Sequence, residues 1–231
     1  MKFLVTGGTG FIGQRVVKNL VARQIPVVVA DRDLDQLVIN RLRQSEAGDT
    51  SAPKPNLEFL AVDVSDFRDV MSVFHQHPDI THVVHLAYLM SAECEGNPHL
   101  AVRVNVLGMV NLFEAAVMQK LTRLIFTSSE TYYGTSQENY GNRAVVEGDF
   151  CSPSDHFYIY GMMKILNEFM AEKYVKKHGV SIACTRPPVV FGYGRKRGSV
   201  LWAEDFATKP ARGENAMLPF PAETRNSFIY V

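Results

Sequence analysis

Val5-Thr6-Gly7-Gly8-Thr9-Gly10-Phe11-Ile12-Gly13 is the stretch from which the rest of the chain is read. It extends a short apolar run, Phe3-Leu4-Val5, that reads as a buried strand, and it opens into residues 11–23, whose apolar positions recur at helical spacing. Strand, glycine turn and helix in that order make a cradle for an anion. A pyrophosphate can rest on a helix N-terminus only where no Cβ covers the backbone amides. Gly7 permits the tight turn, Gly10 the close approach of the phosphates, and Gly13 the packing of the helix on the strand.

The next apolar run, Pro26-Val27-Val28-Val29-Ala30, ends on Asp31, near the distance at which a dinucleotide fold places an acid on the adenosine ribose. The plainer reading is a surface acid in a strand-to-helix loop. On the ribose reading, a carboxylate accepts hydrogen bonds from both hydroxyls and repels a 2′-phosphate, so NAD is expected ahead of NADP. The neighbouring Arg32 is the feature that would attract a 2′-phosphate instead.

With 231 residues the chain can bury a sizeable core, as one large domain or as one domain plus part of another. Lys plus Arg and Asp plus Glu number 24 each, so there is no field to hold nucleic acid or an anionic membrane, and neither is expected as a partner. No apolar run approaches membrane-span length, and the chain starts directly on a strand, which leaves no room for a signal peptide; the expected location is cytoplasmic. Cys94, Cys151 and Cys184 are odd in number and widely spaced, as reduced thiols are. His75, His77, His82 and His85 straddle a helix end, a turn and a strand rather than converging, so no metal site is expected.

Further strands are predicted at residues 57–62, 82–87 and 121–127, separated by helices at 34–43, 67–75 and 98–120 and by a polar loop at 45–56. Asp63-Val64 follows the third strand. Asp63 either faces the adenine or caps the next helix with Ser65 and Asp66. The fourth strand delivers the small Ala87 to the ligand crevice. In the long helix, Leu100, Val104, Leu107, Val110, Leu112 and residues 115–117 suit one buried side, with Asn105 among them. The fifth strand runs into Ser128-Ser129-Glu130, hydroxyls and a carboxyl at the edge where open α/β sheets meet their ligands.

Tyr160-Gly161-Met162-Met163-Lys164 carries the clearest chemistry. The i and i+4 positions of a helix share a face, so the phenol and the ammonium can reach one site. A cation beside a tyrosine favours its phenolate, which would let Tyr160 exchange a proton with a substrate hydroxyl.

Together these features resemble the extended short-chain dehydrogenase/reductase family, its NAD-dependent epimerase/dehydratase group. The residues that carry the resemblance are Thr6 through Gly13, Asp31, Asp63-Val64, His85-Leu86-Ala87, Asn105-Val106-Leu107-Gly108, Thr127-Ser128-Ser129, Tyr160 through Lys164, and Arg186-Pro187-Pro188-Val189-Val190-Phe191-Gly192. The resemblance implies a doubly wound parallel sheet of Rossmann type over residues 1–185, and a small, partial substrate region over 186–231, since relatives continue past the segment that Arg225 through Val231 resembles. It implies Ser129 as the group that binds the reacting oxygen, Tyr160 as acid/base, and Lys164 as the residue that holds the nicotinamide ribose and lowers the tyrosine pKa. NAD would lie along Gly7, Gly10, Phe11, Ile12, Gly13, Asp31, Arg32, Asp63, Val64, Leu86, Ala87, Asn105, Tyr160, Lys164 and Pro187. The substrate would meet Ser129, Glu130, Tyr88 and Arg195. Tyr88 is bulkier than its counterparts and would narrow that side. Arg195, Lys196 and Arg197 would grip a phosphate or carboxylate, or simply form a solvated loop. The implied activity is redox chemistry at an alcohol or ketone, extending to nucleotide-sugars; a simple dehydrogenase and a catalytically silent NAD-binding module are the alternatives. A homodimer through a four-helix bundle, built from residues 98–120 and 156–178, is implied in the same way.

Overall fold

The computed structural model describes residues 1–44, 56–134, 136–195, 202–221, 223–224 and 227–231. Most of the polar loop expected at 45–56, together with Lys196, Arg197, Arg225 and Asn226, lies outside them. Strands β1 (Phe3–Thr6), β2 (Val27–Asp31), β3 (Leu57–Ala61), β4 (His82–His85), β5 (Arg123–Thr127) and β6 (Ile182–Thr185) form one parallel sheet in the order β3-β2-β1-β4-β5-β6. The crossovers contain helices α1 (Phe11–Ala22), α2 (Gln36–Gln44), α3 (Phe67–Gln76), α4 (Ser91–Gly96), α5 (Pro98–Met118) and α6 (Ile159–His178). A separate pair, β7 (Val189–Phe191) and β8 (Phe228–Tyr230), accompanies a short helix α7 (Trp202–Thr208).

A parallel sheet is covered on both faces, and successive residues serve opposite layers. Val5, Val27 and Val29 point to one side, with Val17 and Val21 of α1 and Val38 and Leu42 of α2. Leu4, Val28 and Ala30 point to the other, where Phe74, Phe113 and Phe126 are fully buried. Each such side chain contributes about 1.5–3 kcal/mol by leaving water.

Helix α5 departs from expectation in three ways. Its inward face is built from Ala101, Asn105, Gly108, Met109, Asn111 and Leu112, all buried, while Leu107 is 45% exposed and Val102 50%. At Gly108 and Asn111 a small and an amide side chain win inner positions because the helix lies close to the turn after β3. A Cβ on Gly108 would stand 3.0 Å from Val64 Cγ2, and Asn111 Nδ2 donates to the Val64 carbonyl at 2.8 Å. The helix also winds as a π-helix over Val102–Leu107, a departure that hydrophobic spacing does not register. Contrary to the sequence reading, α5 is long and apolar enough to cross a membrane by length and composition. It passes that test as a core helix whose Met109, Leu112 and Phe113 are completely enclosed.

Candidate functional site

The C-terminal ends of the parallel strands bring the expected residues together. Gly7 leaves β1 at φ +67°, and a Cβ there would lie 2.6 Å from the Ala87 nitrogen and 2.7 Å from the Leu86 carbonyl carbon. The glycine turn therefore sits directly on the segment after β4. At Gly13 a Cβ would come within 2.2 Å of the Gly7 oxygen, whereas at Gly10 the one neighbour is that oxygen at 3.0 Å. Gly10 begins α1 without a side-chain cap, which leaves the first-turn amides of Phe11 and Ile12 to a ligand. This is the shape a pyrophosphate requires.

Asp31 Oδ2 accepts hydrogen bonds from the Thr9 amide (3.1 Å) and the Thr9 hydroxyl (2.6 Å), which fixes the carboxylate. Oδ1 has no hydrogen-bond partner among the described residues. Arg32 is turned onto Asp33, with Nη2 donating to Oδ2 at 3.0 Å, so the group that would have favoured a 2′-phosphate is engaged elsewhere. The cap of α3 belongs to Asp66, which accepts from the Arg68 amide at 2.8 Å. Asp63 instead shapes the preceding turn, its Oδ1 accepting from the Ser65 amide and hydroxyl at 2.9 and 2.7 Å. Val64 is buried against α5.

Ser129 follows β5 and caps a 3₁₀ turn, Glu130–Tyr133, by accepting from the Thr131 amide at 3.2 Å. Tyr160 and Lys164 lie on the first two turns of α6; the phenol-bearing residue is 7% exposed and the lysine 1%. Burial pushes the Tyr160 phenol up to about 12, while the Ser129 side chain and the Arg195 charge pull it back. Burial likewise presses Lys164 down to about 7, opposed by Cys94, Glu168 and Cys184. The expectation that Lys164 lowers the tyrosine pKa is corrected here. Nζ donates to the Thr127 carbonyl at 2.6 Å and stands 3.3 Å from the Tyr88 ring centroid, against 5.3 Å from that of Tyr160, and the groups that lower the phenol are Ser129 and Arg195 instead. Burial therefore favours the protonated form of the Tyr160 phenol.

Three other expectations change in manner. Asn105 is wholly buried: its Oδ1 accepts from the Leu89 amide (2.8 Å) and its Nδ2 donates to the Leu89 carbonyl (3.0 Å), so it holds the segment after Ala87 rather than facing a cofactor. Tyr88 turns inward over Lys164 instead of lining an open substrate cleft. Glu130 is partly buried without an ion-pair partner among the described residues, and burial raises its carboxyl to about 7. The Glu130 amide donates to the Pro187 carbonyl at 3.1 Å, which ties the segment after β6 to the serine turn. Arg195 approaches Tyr160 closely enough to favour the phenolate and donates to the Val190 carbonyl.

The sequence reading gave no role to Thr9, Thr127 or Asn167. Asn167 lies three residues beyond Lys164, on the same helical face, and that spacing is the signal that would have found it. It also missed the clamp on the serine turn. Arg186 donates to both Glu168 oxygens (2.9 and 2.6 Å) and to the Tyr133 hydroxyl (2.6 Å), and its guanidinium lies 3.5 Å from the Tyr132 ring centroid.

A family model described as "NAD dependent epimerase/dehydratase family" matches residues 3–231. The UDP-glucose 4-epimerase of Neisseria gonorrhoeae is 30% identical over 173 residues, covering 74% of this chain and 47% of that protein, so the chain spans about half of that relative's length. Among solved structures, the Thermus thermophilus UDP-glucose 4-epimerase in complex with NAD is 26% identical with a TM-score of 0.72, covering 100% of this chain and 70% of the other. The L-threonine dehydrogenase of Clostridium difficile shares the fold at a TM-score of 0.70 and 23% identity, covering 90% and 59%.

Proposed function

The chain belongs to the NAD dependent epimerase/dehydratase family, and we propose that it carries out NAD-dependent redox chemistry at a secondary alcohol or ketone of a nucleotide-linked sugar. The observation that carries this reading is the convergence of Ser129, Tyr160 and Lys164 at the C-terminal end of β5, on the same edge of the sheet as the glycine turn after β1 and two strands from it, where a dinucleotide meets its substrate. The 4-epimerase relatives support the substrate class.

The residues present fit NAD. The Gly10 position offers room for the pyrophosphate, the open amides of Phe11 and Ile12 offer it donors, and the fixed carboxylate of Asp31 offers the adenosine ribose an acceptor. When bound, the nicotinamide supplies a hydride acceptor or donor. Tyr160 delivers a proton to the substrate oxygen in the reducing direction and withdraws it in the oxidising direction, as a general acid/base. Ser129 donates a hydrogen bond to the same oxygen, and Arg195, close to Tyr160, faces the anionic part of the substrate. Lys164 brings its ammonium to the nicotinamide ribose. In a homodimer, the exposed apolar side chains Val102 and Leu107 of α5 and Leu166 and Phe169 of α6 would be covered by their copies. The three free thiols suit a reducing cytoplasm.

The test is calorimetric titration with NAD and NADP, followed by turnover assays with UDP-sugars. NAD is expected to bind in preference to NADP. Tyr160→Phe should lower turnover by about 10²–10⁴ while sparing NAD affinity; loss of NAD binding in that variant would overturn the role given to Tyr160.

A further inference from the structure

Lys164 Nζ is enclosed, yet among the described residues its hydrogen bonds are few: one, to the Thr127 carbonyl, for a group with three donors. A charged amine in a dry site needs further partners. Among the described residues the nearest ring that faces it is that of Tyr88, its centroid 3.3 Å from Nζ, with the Tyr160 ring farther off at 5.3 Å. That ring is held from three directions. It meets Tyr160 edge to face at 5.5 Å and 90°, and its hydroxyl receives Asn167 Nδ2 at 3.4 Å. Asn167 is itself tied to the Asn105 carbonyl in the π-helical segment of α5 (2.8 Å), and the Asn105 amide grips both backbone groups of Leu89, the residue next to Tyr88. A side chain anchored this completely is part of a built arrangement.

We propose that Tyr88 is a positioning residue for Lys164: its ring face is a second partner of the buried ammonium, favouring the charged form of Nζ and seating it on the Thr127 carbonyl beside Tyr160. The attraction between a desolvated ammonium and the negative face of a tyrosine ring supplies what water supplies elsewhere. The titratable groups around Lys164 are His85 of β4, Tyr88 after it, Cys94 of α4, Cys184 of β6, and Tyr160 and Glu168 on its own helix, with both phenols held toward the neutral form by burial. His85 is a neutral imidazole, pushed down to about 3 by burial, and Cys94 and Cys184 are thiols raised to about 11. At neutral pH Glu168 is thus the one formal anion among them, and it is committed to Arg186. Among the described residues the Tyr88 ring is the closest partner left to the ammonium. This inference rests on the reading of Lys164 as part of the redox site.

Wild type, Tyr88→Phe and Tyr88→Leu separate the ring face from the hydroxyl. Two readouts are taken: urea stability between pH 6 and 10 without ligand, and NAD affinity by calorimetry between pH 6 and 9. The unfolded chain holds its lysine proton to a higher pH than the folded one, so stability rises with pH from about 7 toward 10.5. In Tyr88→Leu that rise should begin about one pH unit lower, and NAD affinity at pH 8 should fall several-fold; Tyr88→Phe should keep both wild-type profiles. A wild-type profile in Tyr88→Leu, or a shift in Tyr88→Phe as large as in Tyr88→Leu, overturns the proposal. Should Tyr88→Leu fail to fold, pentafluorophenylalanine at position 88 keeps the shape and inverts the ring electrostatics. It is expected to shift the profile like leucine, and an unshifted profile overturns the proposal. If the wild type binds no NAD, the cofactor reading fails by itself and Tyr88 is judged on the stability profiles alone.

Discussion

Alanine at Gly10 and at Gly13 should separate a glycine kept for the ligand from a glycine kept for the fold. At Gly13 the new methyl would stand 2.2 Å from the Gly7 oxygen, 2.7 Å from Gly8 Cα and 2.9 Å from Gly8 C, where ordinary contact begins at 3.4 Å. All three neighbours are backbone, so the overlap is relieved only by moving the turn. Overpacking of this kind costs about 1–3 kcal/mol, with the upper end appropriate to backbone, and the better helix propensity of alanine returns about 1 kcal/mol. Gly13→Ala is therefore expected to lose about 1–2 kcal/mol in urea unfolding, and NAD binding with it, since the amides move. At Gly10 the methyl meets only the Gly7 oxygen at 3.0 Å, and the backbone, at φ −69° and ψ 172°, admits any residue. Stability should change by less than about 1 kcal/mol. The methyl would nevertheless occupy the space above the first-turn amides, so NAD affinity should fall by about tenfold or more, equivalent to about 1.4 kcal/mol. Wild-type affinity in Gly10→Ala would refute the placement of the pyrophosphate, and wild-type stability in Gly13→Ala would refute the packing argument.

Asp31→Ala should cost about tenfold in NAD affinity and narrow the preference for NAD over NADP, measured by calorimetry with both cofactors. Lys164→Met removes a lysine whose folded pKa lies near 7, below its ordinary 10.5. The unfolded wild type binds the extra proton in that window, so wild-type stability should rise relative to the variant as pH rises through it, by on the order of a few kcal/mol in urea titrations at several pH values. Arg186→Met leaves Glu168, whose side chain is 11% exposed, without its bidentate partner and should cost about 2–3 kcal/mol, a value discounted for partial exposure. Glu168→Met in the same background should recover part of that loss, as a double-mutant cycle on thermal or urea unfolding would register.

Local chemistry wrote much of this molecule in readable form. The glycine turn, the runs of Val27-Val28-Val29 and Leu124-Ile125-Phe126, and the i,i+4 pair of Tyr160 and Lys164 depend on backbone freedom, strand period and helix period, which are properties of neighbours in the chain. The parallel sheet with its crossover helices followed from them, because parallel crossovers leave few ways to wind such a chain; the grouping of Ser129, Tyr160 and Lys164 was implied by the family resemblance instead. What periodicity misjudged was α5, where close approach to Val64 placed small and amide residues inside and left Leu107 outside. Only the tertiary structure decided the protonation of the site. The Tyr88 ring reaches Lys164 from another strand end, and Arg195 reaches Tyr160 from the segment after β7. Whether a phenol is raised or an ammonium lowered depends on how much water these distant residues exclude. That is a property of the packed volume, and no spacing along the chain encodes it.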